Sequence, residues 1–198
     1  MLVRASADRP AGRRYGGRVP RLILINGAPG SGKSTLARRL VEATHLSLLL
    51  EIDTIRGHLG RWADDPAASG VAARRLAIAA AGVHLDAGHD VVVPQFLGRV
   101  AFIEQLERAA AEHGSEFIEI ALVSSAEDAS RRFQARHASV DQNHADARLL
   151  QSLPGADSIE TMYERMLAML GTRPHVRYVR TVDGAIDATF EALLSALT

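Results

Sequence analysis

Gly27-Ala28-Pro29-Gly30-Ser31-Gly32-Lys33-Ser34 follows the apolar run Leu22-Ile23-Leu24-Ile25 and opens the stretch Thr35-Leu36-Ala37-Arg38-Arg39-Leu40. The first flank reads as a buried strand and the second as the start of a helix, so the glycine-rich loop joins a strand to a helix. That is a complete Walker A motif in its required context, and it predicts a bound nucleotide phosphate chain. Gly27, Gly30 and Gly32 let backbone N–H groups curl around a β-phosphate, with Ala28, Pro29 and Ser31 completing the loop. The anion then meets the positive N-terminal end of the helix. Lys33 is expected to reach the β- and γ-phosphates and Ser34 to coordinate Mg²⁺, with Thr35 in the same cofactor-binding set.

Outward from this loop, strand-like and helix-like segments alternate, which predicts an α/β fold with a mainly parallel sheet. Strands are expected at 21–26, 47–52, 90–95, 116–123 and 175–180. Helices are expected from the loop to about Ala43, from Thr54 to Leu59, and over 67–87, 99–113, 126–136, 157–170 and 185–197. The polar stretch 137–156, ending in Leu153-Pro154-Gly155, is too long for an ordinary connection and is expected to form a lid. Residues 1–19, with five arginines and three glycines, are expected to be a disordered basic leader to a single domain over 20–198.

At 198 residues the chain has room for one such domain and not for a second catalytic one. Its 23 basic and 23 acidic residues balance, which argues against a nucleic-acid or membrane partner. There is no cysteine, which excludes disulfides, thiolate metal sites and cysteine nucleophiles. No apolar stretch reaches the length of a membrane span and no signal peptide is visible, so a soluble chain is expected. ATP use points to the cytoplasm. Oligomeric state is not legible.

Ligands of open parallel sheets gather at the carboxyl ends of the strands. Asp53 is placed at that end of the second strand, where a carboxylate can accept the proton of a hydroxyl attacking the γ-phosphate. The alternative is that Asp53 caps a helix beginning at Thr54. Arg56, three residues on, shares its face and is expected to hold a substrate anion or the transferring phosphoryl group. Trp62 either stacks on a flat substrate or covers the edge of the core. Gln95 and Phe96, ending the third strand, are expected to contact substrate, as is Arg99 just beyond. Asp90 begins that strand and lies at the wrong end to hold a metal, leaving Mg²⁺ to Ser34, nucleotide oxygens and water. Arg132 and Arg136 lie one helical turn apart before the lid and can approach one ligand. His113, His137 and His144 show no metal-ligand spacing and read as surface residues.

On Gly27–Thr35, on Asp53 with Arg56, and on Arg132 with Arg136, the chain resembles the small P-loop kinases that include chloramphenicol phosphotransferase, zeta toxins, gluconate kinase and the adenylate-kinase-like enzymes. It also looks like the small ATP-binding proteins linked to tunicamycin resistance. The resemblance implies a three-layer α/β/α sandwich around five parallel strands ordered 2-3-1-4-5, and a catalytic base at the position of Asp53. It further implies lid arginines clamping the phosphates, and adenine between Arg132 and the loop Thr181-Val182-Asp183. Gln95 departs from it, standing where an acid often holds the metal. The expectation is an ATP- and Mg²⁺-dependent phosphotransferase acting on a hydroxyl of a small molecule, a sugar, nucleoside or antibiotic. In that reading Asp53, Lys33 and Arg136 are catalytic. The alternative is an ATP-binding regulatory or switch protein with slow hydrolysis.

Overall fold

In the computed structural model, which describes residues 18–125, 128, 131 and 157–198, every strand pairs in parallel and the sheet order is β2-β3-β1-β4-β5. The strands are β1 (Arg21–Gly27), β2 (Leu48–Leu49), β3 (Val91–Gln95), β4 (Glu116–Val123) and β5 (Arg177–Arg180). The described helices are α1 (Lys33–Glu42), α2 (Ile52–Gly57), α3 (Pro66–Asp86), α4 (Val100–Glu112), α5 (Ile159–Leu170) and α6 (Ile186–Ser195), with a short 3₁₀ turn at Trp62–Asp64. Asp128 and Arg131 are helical too. The proposed lid 137–156, Arg132, Arg136, His137, His144 and residues 1–17 of the leader lie outside the described residues.

The central strand β1 is apolar on both faces because both are covered, as in buried parallel sheets generally. Leu22 and Leu24 pack with Val91 and Val93 against α3 and α4, through Ala73, Ala77, Ala81 and Leu85 and through Phe102, Ile103 and Leu106. Ile23 and Ile25 face the other way, with Val92, Ile118, Ile120 and Leu122, onto Leu36 and Leu40 of α1 and Phe190 and Leu193 of α6. Tyr163, Met166 and Leu170 of α5 join Ala28 and Ala121 in a third cluster. The outcome is the expected three-layer sandwich.

Several boundaries differ from the sequence expectations, each for a physical reason. The run 47–52 is a two-residue strand, and Ile52 already belongs to α2, whose N-cap is Glu51. Asp53 therefore sits in the first turn of α2, neither ending a strand nor capping a helix at Thr54. The last strand starts at Arg177 rather than 175, and α6 starts at Ile186 after Ala185 as N-cap. Arg18, assigned to the leader, is held by the chain body through a 2.7 Å ion pair with Asp90. Asp90 also accepts from the backbone N–H of Arg21 at 2.9 Å and from its guanidinium. Buried at the amino end of β3, it closes the sheet far from the glycine-rich loop. His113 is partly buried: its side chain is 16% exposed and its Nδ1 lies 2.7 Å from Asp86.

Candidate active site

β1 ends at Gly27 and α1 begins at Lys33, so the intervening loop is held between the central strand and a helix N-terminus. Gly30 and Gly32 have φ of +90° and +86°, a conformation that costs other residues roughly 1–2 kcal/mol. A Cβ on Gly27 would stand 2.7 Å from Ser31 Oγ and 3.0 Å from Leu122 Cβ, so the loop closes tightly on the sheet there. Gly32 ends the loop as the N-cap of α1 with no side-chain cap, and the α1 N-terminus is left for an anion. Lys33 Nζ donates to Ala28 O at 3.3 Å, across the loop it is expected to serve. Ser34 and Thr35, in the first turn of α1, are exposed.

One residue that sequence reasoning passed over ties this loop to the neighbouring strand end. Asn26, fully buried, donates through Nδ2 to Leu97 O at 3.1 Å and accepts at Oδ1 from Leu97 N–H at 2.9 Å. The carboxamide thus replaces a ladder pair where β3 has ended, and it locks Phe96-Leu97-Gly98 beside Gly27. A second latch lies across the sheet: Tyr163 of α5 donates its hydroxyl to Ser124 O at 2.7 Å and accepts from Ser124 N–H at 3.0 Å. Both latches sit at the carboxyl end of the sheet.

The predicted site residues fall into three groups there. Asp53, Arg56 and Trp62 come together: Arg56 forms an ion pair with Asp53 Oδ1 at 3.1 Å, and its guanidinium lies 5.0 Å from the Trp62 ring centroid. Trp62 stacks on Arg56, leaving Asp53 39% exposed at its side chain. Phe96 and Arg99 line a cleft of about 540 Å³ between α3, α4 and α5. Asp183, on the β5–α6 connection, pairs at 2.6 Å with Arg131, which also binds Asp128. This ties Arg131 to the loop Thr181-Val182-Asp183.

Among the described residues, four buried side-chain polar atoms have no hydrogen-bond partner: Ser31 Oγ, Arg56 Nε, Gln95 Oε1 and Glu119 Oε1. Buried polar groups are almost always paired, so each exception asks for a reason. The first three belong to the glycine-rich loop, to α2 and to the end of β3, all at the carboxyl end of the sheet. They offer two donors and one acceptor. Among the described residues no cluster of three His, Asp or Glu could hold a metal by itself.

A parallel sheet of order 2-3-1-4-5 with a Walker A loop after its central strand defines a P-loop nucleotide-binding domain of the small-kinase fold. The chain belongs to the AAA_33 family, described as an AAA domain, whose profile matches residues 22–154. No curated protein matches it. Among solved structures it is similar to a gluconokinase from Sinorhizobium meliloti, at 18% identity and a TM-score of 0.56 over 91% of this chain and 93% of that one. It is similar to the tunicamycin resistance protein of Deinococcus radiodurans, at 18% identity and a TM-score of 0.56 over 90% and 95%. It is also similar to an APS kinase from Mycobacterium tuberculosis in complex with AMPPNP and APS, at 23% identity and a TM-score of 0.60 over 90% and 97%. At such identities the likeness carries the fold. No described helix is long and apolar enough to cross a membrane.

Proposed function

We propose that the protein is an ATP-dependent phosphotransferase that phosphorylates a hydroxyl of a small molecule. The observation that supports it best is the gathering of unpartnered Ser31 Oγ, Arg56 Nε and Gln95 Oε1 at the sheet end that carries the glycine-rich loop. Two donors suit the oxygens of a phosphoryl group, and one acceptor suits a hydroxyl. The kinases among the similar structures support the same reading.

The residues fit a magnesium-bound nucleotide. The positive-φ glycines form the cradle, and the exposed Ser34 hydroxyl follows Lys33 in the first turn of α1. Magnesium keeps several waters, so Ser34 and the phosphate oxygens suffice without an acid at Gln95. Bound there, it would neutralise charge on the phosphates. Lys33 leaves Ala28 O for the β- and γ-phosphate oxygens, and the loop amides fix the donor. Asp53, half-exposed and oriented by Arg56, aligns the acceptor hydroxyl and takes its proton. As the acceptor oxygen bonds the γ-phosphorus, the bond from phosphorus to the ADP oxygen breaks. Arg56 balances the charge on the moving phosphoryl group, in the manner of arginines that act in phosphoryl transfer. Arg136 and Arg132 are assigned the phosphate clamp and the adenine contact, and Asp183 the opposite wall of the adenine slot. Positioning and electrostatics supply most of the acceleration.

Asp53→Asn tests the assignment. Loss of a general base costs on the order of 100- to 10,000-fold in rate. Transfer is expected to fall by that amount with ATP affinity unchanged in a calorimetric titration; full activity would remove Asp53 from the role. ATP binding without acceptor-dependent ADP release would favour a switch protein.

A further inference from the structure

We propose that the cleft between α3, α4 and α5 binds a dianionic phosphate ester group of the acceptor, so that the substrate is an already phosphorylated small molecule bearing a free hydroxyl. The inference rests on the kinase reading for the hydroxyl, and on the cleft itself for the anion. Arg74 and Arg75 from α3, Arg99 before α4 and Arg165 from α5 all line the cleft, against a single carboxylate, Asp157. Asp157 is matched by Arg165 at 2.7 Å. Among the described residues Arg74 and Arg75 form no ion pair, and Arg99 shares the field of Asp157 without closing on it, so four guanidinium groups face one carboxylate. A monoanionic carboxylate would leave most of this charge uncompensated, whereas a dianion takes two of the three.

Arg74 and two phenyl rings give the cleft its wall, while Arg75 and Arg99 stand exposed at it. Arg74 is half-buried and its guanidinium lies 5.8 Å from the Phe102 ring centroid, which directs it along the cleft wall. The wall also includes Phe96 and Leu97, the residues held beside the phosphate loop by Asn26. The anion site and the donor site therefore share one rigid connection. At about 540 Å³ the cleft accommodates a small metabolite and not merely an isolated ion. Its two phenyl rings supply an apolar wall for the carbon skeleton. Guanidinium groups recognise phosphate through paired hydrogen bonds, which lysine cannot reproduce.

The test separates this proposal from the kinase reading by measuring binding without nucleotide. In Lys33→Ala protein, whose phosphate loop is weakened, inorganic phosphate and acetate are titrated at low salt, with Arg75→Gln/Arg99→Gln added in a parallel variant. Both arginines are exposed, so the fold is expected to persist, and circular dichroism checks it. The expected result is phosphate binding at least tenfold tighter than acetate, and at least tenfold weaker once both arginines are replaced. Phosphate and acetate binding alike, or binding indifferent to the replacements, would overturn the proposal. In otherwise native protein the double variant should raise KM for phosphorylated hydroxy compounds at least tenfold, with kcat and the KM for ATP unchanged. Equal turnover of the dephosphorylated parents would overturn the cleft assignment and leave the kinase reading standing. Phosphate binding lost in the double variant, with no transfer to any acceptor, would leave the cleft assignment standing and remove the kinase.

Discussion

Asn26 shows how one side chain can tie the end of β1 to the segment that follows β3. Its carboxamide closes both hydrogen bonds of Leu97 inside a fully buried environment, so truncation strands a buried N–H and a buried C=O. Unpaired buried groups of this kind cost about 1–3 kcal/mol each. Asn26→Ala is therefore expected to lower unfolding free energy by roughly 2–6 kcal/mol in urea titration and, at temperatures where it stays folded, to raise the acceptor KM more than the ATP KM. A variant as stable as the native protein would show that the latch contributes nothing to stability. Such a residue was illegible beforehand: Asn26 reads only as the last residue of the first strand, and its partner is backbone 71 positions away. The glycines after it were legible because positive φ leaves few other residues to choose from. The arginines of the cleft were hidden for a third reason, being spread over three elements, and only Arg99 was singled out.

At the scale of elements, β4 matched its expected span to the residue, while β2 shrank to Leu48–Leu49. An apolar run such as Leu48-Leu49-Leu50-Glu51-Ile52 serves equally as a strand or as the approach to a helix, and periodicity does not separate them over so few residues. The change moved Asp53 from a strand end to a helix turn yet kept it beside Arg56, because three residues span either geometry compactly. β4 carries one polar exception inside the core, Glu119, which binds Arg173, itself 3.2 Å from Glu107. Burial pushes the Glu119 carboxyl above its ordinary value, opposed by its bond to Arg173. A carboxyl raised in the folded state binds its proton before the unfolded chain does. Its contribution to stability is thus complete below the unfolded value of about 4.5 and is lost as pH rises through the folded one. Chemical denaturation at pH 7 and pH 5 is expected to show native protein gaining on Glu119→Gln as pH falls through that window. A pH-independent difference would contradict the burial account. Asp90, also a buried acid, holds Arg18 and Arg21 at the opposite end of the sheet and serves the architecture.

For the whole molecule, parallel topology places every strand's carboxyl end on one edge, and the site residues gather there because the fold leaves that edge open. The order of elements was legible from the alternation of segments, as was the donor side from the glycine-rich loop. Of the cleft between three helices only Phe96 and Arg99 were legible, since residues spread over α3, α4 and α5 leave no contiguous trace in the sequence. The central claim is that this edge transfers phosphate from ATP to a hydroxyl. ADP release in ATP and Mg²⁺, followed over hydroxylated phosphate esters and their dephosphorylated parents, tests it most directly. The account predicts release at least 100-fold above acceptor-free hydrolysis for one or more phosphate esters, abolished by Asp53→Asn. Tight ATP binding with release unchanged by every acceptor would contradict it.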